Sequence, residues 1–326
     1  MSGVTKNWLA EDSATLPDFI IAGAMKCGTT SLHAMLNQHP DIFIPDKELH
    51  FFDMDDIAQH PDFNTFDKEH WLSNDLTLDA EHYWRWYSSN FLLAKTQQLI
   101  GEDSTTYLAS NFAVQRIAMQ DKKIKMIIML RQPSARLYSH YWHMVKAGKA
   151  MFNFEDTLKF SPHNLLDRSN YLTQLKTLFS YIPKEQVKVI LFEDFVKNKA
   201  ETLKNVCEFI GVEADKLPSD AINIHANSAK IPTFIRLHLL KCRLFRSTGN
   251  QQSLKHFGNE FCKSSFKANK EQLFLERCYK ILNPLVVNKP PKINASSKMF
   301  LDNYFKKSLQ GIDEIVEQDV MSLWFK

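Results

Sequence analysis

The stretch Asp18-Phe19-Ile20-Ile21-Ala22-Gly23-Ala24-Met25-Lys26-Cys27-Gly28-Thr29-Thr30-Ser31-Leu32 decides the fold. Its apolar run, residues 19–22, reads as a buried strand. A short glycine turn follows, and then a helix opened by hydroxyl residues. That order gathers backbone N–H groups and a helix N-terminus around one point, which makes a cradle for phosphate. Gly23 and Gly28 have the separation of the nucleotide loop G-x-x-x-x-G-K-[ST]. The lysine is displaced: Thr29 follows Gly28, and Lys26 lies two residues before that glycine. A P-loop kinase or ATPase needs its lysine after the second glycine, on the β- and γ-phosphates, with a Ser/Thr on magnesium. Here the lysine belongs to the turn itself and should point at a group close to the first phosphate.

Outward from this loop, apolar runs at 125–130 and 187–192 read as strands, with a fourth at 98–101. Amphipathic helical patterns occupy 30–38, 82–96, 133–146, 169–181 and 200–210. Buried strands alternating with helices predict an α/β fold of P-loop-like, three-layer type. A central parallel sheet would be flanked by helices on both faces. Pro133 fits a first helical turn, and Gly211 fits a C-cap. Residues 53–80 are acidic, aromatic and irregular, and are expected to form a lid or a wall of a cleft. Further helical patterns at 233–245, 271–282, 297–307 and 312–323 predict a helical C-terminal annex. The expectation is one domain over 1–326, with its core at 17–212 and a helical part at 213–326.

The 326 residues are 44% hydrophobic and 24% charged, enough for one large core. A net charge of only +3 argues against nucleic-acid binding by the chain as a whole. The charge is uneven: residues 230–307 hold 16 Lys/Arg against 4 Asp/Glu. Such a surplus suits a doubly phosphorylated cofactor, an acidic acceptor or an anionic surface, or simply a solvated helical face. Five cysteines (27, 207, 242, 262 and 278) include no C-x-x-C pair, so neither a zinc site nor a disulfide framework is indicated. They suit a reducing compartment. Cys27 reads either as a redox-sensitive thiol or as a small residue filling the turn. Residues 1–16 are polar, and no window approaches 18 apolar residues, so neither a signal peptide nor a transmembrane segment is expected.

The displaced lysine followed by Thr-Thr-Ser resembles the 5′-phosphosulfate loop of sulfotransferases that use 3′-phosphoadenosine 5′-phosphosulfate (PAPS). Three more blocks carry the resemblance. His39-Pro40-Asp41 followed by Pro45-Asp46-Lys47-Glu48-Leu49-His50-Phe51-Phe52-Asp53 is similar to the Lys-Glu-x-x-Phe-Phe block of the heparan-sulfate type. Leu130-Arg131-Gln132-Pro133, with Arg136, Tyr138, Ser139, His140 and Tyr141, resembles the family's 3′-phosphate strand and helix. Residues 168–171, 182–190 and 192–195 also match its pattern. Together the blocks cover about 17–212.

The resemblance implies transfer of a sulfuryl group from PAPS to a hydroxyl or an amine of a saccharide or small-molecule acceptor. Such transfer needs acceptor deprotonation, leaving-group stabilisation and in-line placement. It needs no metal in principle, and none is expected. Lys26 would neutralise charge on the leaving oxygen. Lys26, Cys27, Gly28, Thr29, Thr30 and Ser31 would hold the 5′-phosphosulfate, although a Ser/Thr helix cap is an equally compatible reading of the hydroxyls. Glu48 is the candidate general base, with Phe51 and Phe52 wedged into the core behind it. His50 is the alternative base or an acceptor contact, and Lys47 is a further contact. Arg131, at a strand end, and Ser139 are expected on the 3′-phosphate, with Arg168 and Tyr171 completing the cofactor pocket. His140 and His143 have metal-ligand spacing but no acidic third ligand, and read as an aromatic helix face.

At the C-terminal end the sequence departs from the family. The nearest candidate for its glycine-containing basic loop is Lys289-Pro290-Pro291-Lys292, which has no glycine. Secretory members are usually tethered by an N-terminal helix, so a first strand near Asp18 leads to the expectation of a cytoplasmic enzyme. The rival readings are a P-loop kinase and a catalytically silent nucleotide-binding scaffold.

Overall fold

The computed structural model describes residues 6–66, 69–73, 76, 79–96, 98–224, 230–244, 256–257 and 270–325; Cys262 lies outside them. The strands are β1 (Phe19–Gly23), β2 (Ile42–Phe43), β3 (Thr65–Phe66), β4 (Trp71–Leu72), β5 (Leu99–Asp103), β6 (Lys125–Leu130), β7 (Val187–Leu191), β8 (Lys230–Pro232) and β9 (Leu285–Val287). Every residue of β1 is buried, and β6 is buried beyond its first residue. Continuous Ile, Leu and Met runs of this kind belong to strands covered on both faces. They form a five-stranded sheet in the order β2-β5-β1-β6-β7, and all its pairings are parallel. Phe19 stands in register with Gly101 on β5. A Cβ at Gly101 would come within 2.4 Å of the Phe19 ring, so only glycine lets the two strands pair beneath that side chain.

Helices return the chain between strands. Thr29–Leu36 follows β1, Pro133–Lys146 follows β6, and Tyr171–Tyr181 precedes β7. Pro133 occupies the first turn as expected, and the Gln132 side chain caps it by accepting from the Ala135 N–H at 2.7 Å. Gly211 ends the Lys199–Ile210 helix in a left-handed conformation. The helix expected over 82–96 is shorter, Ala80–Ser89. It is capped by Asp79, and at its end the Asn90 amide donates to the Trp86 and Tyr87 carbonyls. The helix expected over 312–323 is two short ones, Ile312–Val316 and Val320–Trp324. Glu317 turns left-handed between them, and the Asp319 side chain caps the second.

The C-terminal part packs back on the sheet's own helices. Ala295–Ser308 lies against Pro133–Lys146. There Ser134 Oγ and Gln132 Nε2 both donate to Asp302, at 2.6 and 2.7 Å. The smaller ladders β3–β4 and β8–β9 are antiparallel. Among the described residues, no helix is long and apolar enough to cross a membrane.

Candidate active site

The C-terminal ends of β1, β5, β6 and β7 share one edge of the sheet, the place where parallel α/β sheets bind ligands. After β1 the chain turns through 24–28 into the Thr29–Leu36 helix. Gly28 is the N-cap, left-handed at φ 96°, and no side chain caps this helix. A Cβ there would meet the Phe192 ring at 2.9 Å, so glycine is required by conformation and by space. The first-turn N–H groups therefore lack a side-chain acceptor, the arrangement that suits an anion. Thr29 is buried, Ser31 half-buried and Thr30 exposed.

Cations gather beside that helix end. Lys26 is itself left-handed at φ 71°. Burial lowers the pKa of its ammonium below the usual lysine range. The positive charges of Lys146 and Arg131 lower it further, and Glu48 opposes the fall. Arg131, just past β6, donates to the Lys26 carbonyl at 3.3 Å, and its guanidinium lies 4.6 Å above the Phe192 ring. Neither cation is ion-paired with a carboxylate among the described residues. A cluster of like charges is costly unless an anion completes it.

Ser139 lies half-buried on the Pro133–Lys146 helix, eight residues past Arg131. Its neighbour Tyr138 donates to the Pro291 carbonyl at 2.8 Å. Thus the 289–292 segment, the sequence's candidate for the basic loop, is brought beside the Ser139 turn.

Two residues expected in the cofactor pocket sit beneath the loop. Cys27 and Tyr171 are both 0% exposed. Cys27 Sγ lies 3.6 Å from Tyr171 Oη, which donates to the Arg131 carbonyl at 3.0 Å. Burial pushes the Cys27 thiol up to about 11. That disfavours the thiolate a redox-sensitive cysteine would need and agrees with a turn-filling role. Arg168 has its hydrogen bonds to other partners. It donates to the Gln59 carbonyl at 2.8 Å and contacts Met25 Sδ. Burial lowers its guanidinium to about 10, and the charges of Asp53 and Glu48 partly restore it. The structure therefore brings Lys26, Gly28–Ser31 and Arg131 together, and sets Arg168 on the side of Glu48.

Glu48 is pinned to the turn after β5. Thr105 donates to Glu48 Oε2 from its hydroxyl at 2.8 Å and from its N–H at 3.3 Å. The Leu49 and His50 N–H groups both donate to Ser104 Oγ, at 3.1 and 2.9 Å. Burial, and next the charge of Asp103, pushes the Glu48 carboxyl up to about 7, against the pull of the Thr105 donors. The side chain keeps 35% of its surface in solvent, so water in the open cleft tempers the rise. His50 Nε2 lies 3.3 Å from Glu48 Oε2. Burial carries the His50 imidazole well below its ordinary range, so it is neutral near pH 7.

Phe51 and Phe52 anchor this segment, as their spacing predicted. Both are fully buried. Phe51 stacks on Tyr87 at 4.4 Å and meets Trp84 at 4.7 Å. Lys47 lies over Trp86 at 4.8 Å. Truncating a large buried aromatic costs about 3–5 kcal/mol. Phe51→Ala is therefore expected to lose stability of that order in urea unfolding, and to loosen Glu48 with it. An unchanged unfolding midpoint would show that this ring does not anchor the segment.

Sequence reasoning missed the turn Ser104-Thr105-Thr106. Its signal was present, three hydroxyls after an acidic strand end, but the strand was expected to stop at 101. It also missed His60, which lies in the irregular stretch. His140 and His143 stack with ring centres 6.2 Å apart, on a helix whose buried face includes Tyr141 and Trp142.

A family model described as a sulfotransferase domain matches residues 16–232. The chain belongs to the sulfotransferase family. Human heparan sulfate glucosamine 3-O-sulfotransferase 5 is 26% identical over 212 residues, covering 60% of this chain and 54% of that protein. Human bifunctional heparan sulfate N-deacetylase/N-sulfotransferase 2 is 24% identical over 215 residues, covering 60% of this chain and 22% of that protein. The chain thus spans about half the length of the first of these relatives, and less of the second. A sulfotransferase crystal structure from Alicyclobacillus acidocaldarius superposes with a TM-score of 0.60 at 23% identity, covering 96% of this chain and all of that one. That likeness establishes the fold.

Proposed function

We propose that this sulfotransferase moves a sulfuryl group from PAPS to a hydroxyl, or an amine, of a saccharide or small-molecule acceptor. The observation that carries the reading is the Lys26–Arg131 cluster, without an ion pair among the described residues, beside an uncapped helix N-terminus and close enough to Glu48 for their charges to interact. The loop's donors and these cations fit a phosphosulfate. When bound, PAPS supplies the sulfuryl group and a phosphate leaving group. Lys26 offsets charge growing on the leaving oxygen. The first-turn N–H groups and the hydroxyls of Thr29, Thr30 and Ser31 hold the phosphate oxygens. Glu48 accepts the acceptor's proton, with Thr105 and His50 fixing its carboxylate. Arg131 and Ser139 hold the 3′-phosphate, and the 289–292 segment flanks them.

The test is a mass-spectrometric screen for +SO₃ products with saccharide, lipid-headgroup and metabolite acceptors, paired with thermal shift. Stabilisation by adenosine 3′,5′-bisphosphate without magnesium supports the reading. Stabilisation by Mg-ATP alone would turn it toward a kinase.

A charge-assisted phosphate contact is worth roughly 1.5–3 kcal/mol, or about tenfold to a hundredfold in affinity. Arg131→Ala is expected to lose that much affinity for adenosine 3′,5′-bisphosphate, and Ser139→Ala less. Affinity for the 3′-dephosphorylated analogue should hardly change. Equal losses for both ligands would remove the 3′-phosphate assignment.

A cytoplasmic location is part of the same proposal, supported by the free thiols of Cys27, Cys207, Cys242 and Cys278.

A further inference from the structure

The basic surplus of the C-terminal third does not build the donor site. Residues 230–307 hold 16 Lys/Arg against 4 Asp/Glu, whereas Lys26, Arg131, Lys146 and Arg168 all precede them. Of the four acids, Asp302 is already met by Gln132, Ser134 and Lys298. The same stretch leaves large apolar side chains in solvent. Leu244 and Ile281 are 65% and 78% exposed, and Leu237, Leu240, Phe274 and Leu282 are exposed as well. Strand β9 is exposed along its whole length. Apolar side chains scattered singly are ordinary on a surface, but a contiguous group of them marks an interaction site.

These side chains form one face. At about 100° per residue, Leu237, Leu240 and Leu244 fall within about 60° of one another on the Ile235–Leu244 helix. The buried His238, Leu239 and Cys242 fall on its opposite side. Arg236 and Arg243, both exposed, border the apolar row. The Lys270–Leu282 helix repeats the arrangement, with exposed Arg277 and Lys280 beside Phe274 and Ile281. His238 Nδ1 meets Tyr279 Oη at 2.8 Å. The Phe234 N–H donates to the Asn283 side-chain carbonyl at 2.8 Å, and the Asn283 amide donates back to the Phe234 carbonyl at 3.0 Å. With 234 beside 283 and 238 beside 279, the two helices run antiparallel. Their exposed rows are turned from that seam in the same rotational sense, which for antiparallel neighbours puts them on one side. His238 Nε2 donates to the Val145 carbonyl at 2.8 Å and ties the pair to the Pro133–Lys146 helix.

We propose that this face docks on an anionic phospholipid bilayer, with the Ile235–Leu244 and Lys270–Leu282 helices lying in the plane of the interface. Charge complementarity selects the occupant. An interfacial helix combines an apolar row, which enters the boundary between headgroups and acyl chains, with Lys and Arg that meet lipid phosphates. Long basic side chains reach back to the headgroups while the apolar row sinks. A soluble polyanion would satisfy the cations and leave the leucines and isoleucine in water. A second copy of the chain would set these cations against their own equivalents, a repulsion that a two-fold contact does not relieve.

The inference goes beyond the transferase reading and does not depend on it. Among the described residues no helix is long and apolar enough to cross a membrane, so the attachment is peripheral. Its two components respond differently to conditions. Salt screens the attraction of the cations to the lipid phosphates and leaves the apolar component in place. Each basic residue near an anionic surface contributes about fivefold in binding. Each Leu or Ile side chain taken out of water contributes about tenfold or more.

The test is vesicle sedimentation of the full chain, with phosphatidylcholine vesicles compared with phosphatidylcholine–phosphatidylserine vesicles at low and high salt. Wild type is expected to bind the anionic vesicles at least about tenfold more tightly than the neutral ones, and less so at high salt. Arg236→Glu with Lys280→Glu is expected to lose at least about tenfold, and Leu244→Ser with Ile281→Ser a similar factor. Circular dichroism and adenosine 3′,5′-bisphosphate binding verify that both variants are folded. The proposal is overturned if wild type shows no preference for the anionic vesicles, or if the charge-reversed protein binds them as wild type does. It is equally overturned if the Leu244→Ser, Ile281→Ser protein binds them undiminished, since the contact would then be one that any polyanion makes. A wild type that ignores both kinds of vesicle and dimerises, beside a monomeric Leu244→Ser, Ile281→Ser protein, also overturns it and assigns the face to a second copy of the chain.

Discussion

Lys26→Ala is expected to lower turnover by about 10²–10³-fold while leaving the protein folded, the scale on which loss of one oxyanion donor acts. The site shows why the lysine matters more than its exposure suggests. Lys26 is drawn in among Arg131 and Lys146, and burial and those two charges disfavour its ammonium. The fold tolerates that cost without giving Lys26 an ion pair among the described residues. Negative charge arriving between Lys26 and the helix N-terminus relieves the cost, and relieves it most when the charge is greatest, at the leaving oxygen of the transition state. The backbone of residue 26 is left-handed, and alanine bears much the same strain there as lysine. Stability should therefore change little. The measurement is turnover at saturating donor and acceptor, with melting temperature recorded on the same samples. A folded Lys26→Ala protein with near wild-type turnover would remove the lysine from the chemistry.

The parts of the fold that were legible in the sequence share one property, that local composition and tertiary demand agree. The 19–22 and 125–130 runs are apolar on both faces and could only be central strands. Pro133 and Gly211 punctuate helices where backbone geometry requires them. Other features depend on contacts between distant segments. β2 is two residues long and exists because Ile42 and Phe43 pair with Leu99 and Ile100. The helix over 82–96 was overextended because Leu92 and Leu93 continue its apolar pattern, yet they end up 80% and 84% exposed beyond the Asn90 cap. In the site, the loop and Glu48 could be read from motif and resemblance. Tyr171 could be named, but its position beneath the loop could not, because its partner Cys27 is 144 residues away. Arg168 likewise turns toward Gln59, a contact spanning 109 residues. The Ser104-Thr105-Thr106 turn matters because it meets Glu48 and His50 from across the sheet edge, a meeting that no spacing within the chain announces.

Glu48→Gln is expected to keep cofactor affinity and to lose about 10²–10⁴-fold in the chemical step, the usual contribution of a general base. Glutamine can still accept from Thr105 but cannot take a proton. The pH dependence follows from the environment of the carboxylate. Burial and Asp103 push Glu48 up to about 7, and only the ionised form can act as a base. In wild type, kcat/KM with a hydroxyl acceptor should therefore rise as pH increases from the ordinary carboxylate range toward neutrality and level off above it. On the acid side of the raised Glu48 pKa it should fall about tenfold per pH unit, as one protonation inactivates the site. In Glu48→Gln the residual rate should be flat across the same window, because the titrating group is gone. His50→Ala separates the two candidate bases. With His50 neutral and 3.3 Å from Glu48 Oε2, its loss should lower the rate and shift the acidic limb while leaving a limb in place. A fully active Glu48→Gln protein beside an inactive His50→Ala protein would instead make His50 the base. Glu48 would then be the group that orients it.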